Sequence, residues 1–67
     1  MLIGERIREV MENKNITVKD LAAMIGTTRT NMHKILHKEN IDIALLKRIS
    51  KVLHHDFFKD ISDNNSF

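Results

Sequence analysis

Gly26 separates two short apolar runs, each spaced for one face of a helix, and that hinge constrains the fold more than any other feature of the chain. Before it, Val18, Leu21, Ala22 and Ile25 recur at i, i+3, i+4 and i+7, the period of a helical stripe. Thr17 is a strong N-cap residue, and Asp20 follows three positions later, as in a capping box. Gly26 ends the run where the backbone needs the left-handed region, which glycine enters at little cost. After it, Thr28 caps a second helix whose apolar positions are Met32, Ile35 and Leu36. Ala22 is small enough to let the two helices cross closely.

Helical periodicity continues on both sides of this pair. A first helix is expected over about 2–13, burying Ile3, Ile7, Val10 and Met11, with Glu5, Arg6, Arg8, Glu9 and Glu12 outside. Asn13, Lys14 and Asn15 read as its connection, since Asn tolerates the left-handed cap conformation. Ile16 stands before the Thr17 cap, placed to pack on Leu21 as a hydrophobic staple. A fourth helix, capped by Asp42 or Asn40, runs to about Leu53. Its apolar arc, formed by Ile43, Leu45, Leu46, Ile49, Val52 and Leu53, is wider than one packing seam requires, while Lys47, Arg48 and Lys51 face away. Leu45 and Val52 therefore call for a second neighbour, either the C-terminal segment or another protomer. Asp56 caps a final short helix through Phe57, Phe58 and Ile61, and residues 62–67 read as a frayed tail.

Composition agrees with helix throughout. The chain has no Pro, Trp or Tyr and only two Gly, which argues against a sheet built on tight hairpins. At 67 residues it is expected to be a single domain, 1–67, with a modest core and marginal stability unless it self-associates. Without Cys, neither a disulfide framework nor a thiolate metal site can form, which fits a reducing cytoplasm. No apolar run approaches the roughly 20 residues of a membrane span, and no signal-peptide pattern is present.

Net charge is only +2, but the charge is unevenly placed. Acids gather in the first helix and near the C-terminal end, whereas residues 27–38 contain none. Opposite its thin apolar stripe, the third helix carries Thr30, Asn31, His33, Lys34, His37 and Lys38. A narrow buried stripe with a polar, cationic outer face suits a helix that enters the DNA major groove.

The pattern Leu21-Ala22, Gly26-Thr27-Thr28, Met32 and Ile35, followed by Asp42-Ile43, Leu46, Ile49 and Leu53, resembles the phage-repressor and Cro-like (XRE-type) family of helix-turn-helix transcriptional regulators. The likeness covers the chain to about Ile61. It implies an all-α, lambda-repressor-like orthogonal bundle of five helices, with the third, about 28–37, as recognition helix. By position it assigns base reading to Arg29, Thr30 and Lys34, and phosphate contact or positioning to Thr17, Thr28, Asn31 and Asn40. His33 and His37 share that side and suit either task; Lys38, near the helix end, suits a backbone contact. Val18 departs from the family, where Gln is common and contacts DNA, so one anchoring hydrogen bond is missing.

These readings imply a sequence-specific DNA-binding regulator acting as a cytoplasmic homodimer on double-stranded DNA, with Leu45, Phe57 and Phe58 in the dimer interface. The alternative is an antitoxin-like or adaptor module that binds a toxin or other protein, with DNA binding secondary. His33 and His37 have the i, i+4 spacing of a two-imidazole metal site, but no carboxylate is clearly placed to complete it, and no metal or cofactor is expected. Nor is an enzyme expected: the chain has no Cys nucleophile, no glycine-rich phosphate loop and little room for a substrate cleft.

Overall fold

The computed structural model describes residues 3–64, which form α-helices and, among those residues, no strand. Helix α1 spans Ile3–Asn13, α2 Val18–Ile25, α3 Arg29–His37, α4 Ile43–Leu53 and α5 Phe57–Asn64. Leu2, expected to open α1, lies outside the described residues, as do residues 65–67.

Short-range hydrogen bonds set the helix limits. The Asp20 N–H donates to Thr17 Oγ1 at 3.1 Å and the Thr17 N–H donates to Asp20 Oδ2 at 3.2 Å, completing the capping box. At the other end of α2, Gly26 has φ +90°, and both its N–H and that of Thr27 donate to the Ala22 carbonyl at 2.9 Å. Those two bonds satisfy a carbonyl that the helix end would leave open. Two residues later, Thr28 Oγ1 accepts from the Asn31 N–H at 3.1 Å and starts α3. Asn15 closes α1 in the left-handed region, with the Ile16 N–H donating back to Met11. Asp56 Oδ1 accepts from the Lys59 N–H at 3.0 Å and caps α5. Asp42 occupies the N-cap position of α4 but makes no side-chain cap bond, so that helix starts without the device expected of it.

The core is built from one stripe per helix. Ile3, Ile7, Val10 and Met11 of α1 meet Leu21, Ala22 and Ile25 of α2, Met32, Ile35 and Leu36 of α3, and Leu46, Ile49 and Leu53 of α4, with Phe57 closing it. Burial of this apolar surface is what holds helices too short to persist alone. Gly4 lets α1 approach α3: a Cβ there would lie 1.9 Å from the Leu36 carbonyl oxygen. Arg48 reaches back from α4 and donates to the Ile25 carbonyl, tying α4 to the C-terminal end of α2. Arg48 thus has a packing role, where the periodicity pointed it only to solvent.

Three expectations about the C-terminal half change: those for Phe57, for Ile43 and for the end of α5. Phe57 is 0% exposed, so it belongs to the protomer's core and has no surface to give a second copy. Ile43, read as part of the inward arc of α4, is 65% exposed and stands at the rim of the core. Leu45 and Val52 are half-buried against the protomer's own core, so much of the excess apolar arc is covered within one chain. Helix α5 also continues to Asn64, past the Ile61 end read from the sequence.

An ionic cluster fastens α5 to α1. Arg6 Nε donates to Asp60 Oδ2 at 3.0 Å and His55 Nε2 donates to the same oxygen at 2.7 Å, while Arg6 also pairs with Glu9 at 2.8 Å. Burial pushes the Asp60 carboxyl up, but the hydrogen bonds from His55 and Arg6, with their charges, outweigh it and hold the group below the ordinary carboxylate range. Hydrogen bonding to Asp60 raises the Arg6 guanidinium in turn.

Candidate nucleic-acid interface

Helix α3 is held by its inner face and free along its outer one. Met32, Ile35 and Leu36 are buried, and Arg29, Thr30, Asn31, His33, Lys34, His37 and Lys38 are all exposed. This division follows from the period of 3.6, which puts the three apolar positions on one side and leaves the rest to solvent. No acid interrupts the outer face, and the glutamates Glu5, Glu9 and Glu12 are exposed on α1 instead. The helix is set rigidly by the Gly26 turn, the Thr28 cap and the seat of Leu36 on Gly4.

The ten residues expected to meet DNA do not all come together. Arg29 and His33 of α3 face the capping Thr17 and Val18 and Lys19 of α2 across a cleft of about 350 Å³. Thr30, Lys34, His37 and Lys38 share the exposed side of α3 but do not line that cleft. Lys38 sits just past the helix, in extended backbone, with its N–H donating to Ile35. Thr17 and Thr28 both use their oxygens to cap helices, and each hydroxyl keeps its own hydrogen for a further acceptor. Asn31 turns its side-chain amide back to Thr27, donating to Oγ1 at 2.8 Å, which leaves one amide hydrogen to offer. Asn40 stands apart, in the loop before α4, where it borders an apolar groove that includes Ile3, Ile41 and Phe58.

Lys19 is a cationic neighbour of this surface that the sequence reading passed over. Its signal was present: it is the second residue of a helix whose first turn was already linked to DNA contact through Val18. The imidazoles of His33 and His37 have no third metal-ligating side chain grouped with them among the described residues. Among those residues, too, no helix is long and apolar enough to cross a membrane.

A tight left-handed turn joining a capped helix to an exposed cationic one defines a helix-turn-helix domain. The family model of the Cro/C1-type helix-turn-helix DNA-binding domain matches residues 6–63, nearly the whole chain, and the protein belongs to that family. No curated protein and no solved structure matches the chain.

Proposed function

We propose that this DNA-binding domain is a sequence-specific, non-enzymatic transcriptional regulator that works in the cytoplasm as a homodimer, with α3 in the major groove. The observation that carries the reading is the outer face of α3, exposed, cationic and free of acids on a helix seated by its apolar stripe. Phosphate contacts from Thr17, Thr28, Asn31, His33, His37 and Lys38 position the domain, and Arg29, Thr30 and Lys34 select sequence. Arg29 and Lys34 suit guanine O6 and N7, and Thr30 suits a thymine methyl. Asn40 fits this scheme only at its margin, since it borders the other groove. Selection of binding sites from a random duplex pool tests the reading. A defined motif supports it, and an unenriched pool contradicts it.

Size supports the dimer. The protomer measures 31 Å along its longest axis, whereas successive major grooves on one side of the duplex lie about 34–36 Å apart, so reading two grooves takes two protomers. Exposed Ile43 lines a groove with Ile3, Ile41, Leu46, Phe58 and Ile61, an apolar surface that a second copy would cover. With Phe57 assigned to the core, half-buried Phe58 remains in this surface, and half-buried Leu45 does not line it. Ile43→Asp changes this surface without opening the core. Sedimentation should find wild type dimeric on a duplex with paired half-sites and the variant monomeric. A wild type that stays monomeric there overturns the dimer.

The same exposed Ile43 and its groove favour a second reading, in which the chain is an antitoxin-like or adaptor module and that surface takes another protein. An unenriched duplex pool would select this reading.

A further inference from the structure

His33 and His37 lie one turn apart within α3, and both side chains are exposed on its outer face. Residues at i and i+4 on a helix have Cβ atoms about 5–6 Å apart. Metal–imidazole bonds are about 2 Å long, so two such rings can close on one ion from one side of a helix. The ring of His55, by contrast, is already engaged, with its Nε2 on Asp60 at 2.7 Å. Both His33 and His37 stay within the helical span Arg29–His37, whose apolar stripe is buried. Their spacing is therefore fixed by the folded backbone before any ion arrives, which lowers the ordering cost of holding one.

The surroundings select the ion. Arg29, Lys34 and Lys38 accompany the pair, and Lys19 of α2 lines the cleft that His33 borders. The acids nearest in sequence are placed elsewhere: Asp20 holds its Oδ2 on the Thr17 N–H at 3.2 Å, and Glu39 lines the groove with Ile3 and Ile41. Among the described residues no further His, Cys or carboxylate groups with the two rings. Magnesium and calcium ions depend on oxygen ligands, carboxylates above all, so this face does not suit them. Divalent copper, nickel and zinc take neutral imidazole readily, copper most tightly.

We propose that His33 and His37 form an open site for a divalent transition-metal ion, with the two imidazoles as its protein ligands and water in the remaining positions. One chain builds the site without DNA, so the inference goes beyond the DNA-binding reading and does not depend on it. An ion held there engages both rings that the reading assigns to phosphate, and the metal-loaded helix presents a different outer face.

Calorimetric titration of the full, untagged chain with Cu²⁺ in a non-chelating buffer tests this, with electron paramagnetic resonance reporting the ligands. Wild type should bind one Cu²⁺ per chain through two imidazole nitrogens. Zn²⁺ should bind more weakly, and Mg²⁺ should give no signal. His33→Asn and His37→Asn should each bind Cu²⁺ about a hundredfold more weakly, because a lone ring lacks the effective concentration that the second supplies. Both positions are exposed, so neither substitution opens the core, and far-UV circular dichroism confirms the fold. His54→Asn should bind as wild type does, since His54 lies outside α3 and Asn tolerates its left-handed backbone, φ +52°. A wild type that binds no Cu²⁺, a His33→Asn or His37→Asn variant with wild-type affinity, or one ion shared by two chains overturns the site. The titration contains no DNA, so its outcome is separate from whether the chain binds a duplex.

Discussion

Lys34 and Lys38 stand about one turn apart at the C-terminal end of α3, and on the proposed reading their backbones suit them to different tasks. Lys34 lies within the helix, one turn beyond Thr30, on the outer face. Lys38 lies in extended backbone past the last turn. Lys34→Ala should cost about 1–3 kcal/mol on the selected site and relax preference at one base pair. Lys38→Ala should weaken all sequences alike and lower the salt slope by about one. Both side chains are exposed, so stability should move by no more than about 0.5 kcal/mol. Affinities for the selected site and its single-base variants distinguish the two roles, and a uniform loss in Lys34→Ala would make Lys34 a phosphate contact. Residues with local roles were legible in the sequence. The Thr17, Thr28 and Asp56 caps and the Gly26 turn work within three or four positions, where spacing alone reveals the partner. Arg6 and Asp60 are 54 positions apart and Arg48 and Ile25 are 23, and no local period records which side chains meet over such distances.

Between elements, two contacts decide how the helices seat. Gly4→Ala places a methyl against the Leu36 carbonyl, a backbone atom that cannot swing away. Alanine favours a helix by about 1 kcal/mol over glycine, but overpacking costs about 1–3 kcal/mol, so the variant should be less stable in urea or thermal melts. A gain in stability would place α1 farther from α3 than the structure does. The second contact is the clasp of α5 on α1 through Asp60. Its carboxyl is held below the usual range in the folded chain. The clasp therefore stabilises above the unfolded carboxylate pKa of about 3.9, and its contribution is lost as pH falls through the lower folded value. The Arg6 and Asp60 side chains are 23% and 21% exposed, so solvent screening keeps the contribution modest and Asp60→Asn should cost about 1 kcal/mol at pH 7. That difference from wild type should shrink as pH falls below about 3.9, and a difference that stays constant while the carboxyl protonates would mean the loss is one of packing. Helix existence and faces were legible from the 3.6-residue period. The fate of the apolar surplus in α4 and α5 was not, because a stripe wider than one seam does not say which neighbour covers it. Phe57 went to the core and Ile43 stayed at the rim, although each is the first residue of its helix.

For the whole molecule, the fold is a support that turns one acid-free helix face outward. A chain with a net charge of only +2 gives little general attraction to nucleic acid, so on the proposed reading affinity comes from that face. Position along DNA then depends on phosphates neutralised by named side chains, and each neutralised phosphate releases counterions. Titration of a mixed-sequence duplex by fluorescence anisotropy, repeated between 50 and 200 mM salt, measures this directly. A dimer neutralising about six phosphates should lose on the order of 10³ in affinity over that range, with log K falling by about 0.9 per phosphate for each unit of log salt. No detectable binding at 50 mM salt would contradict the account and leave the apolar surface beside Ile43 as the working face of the protein.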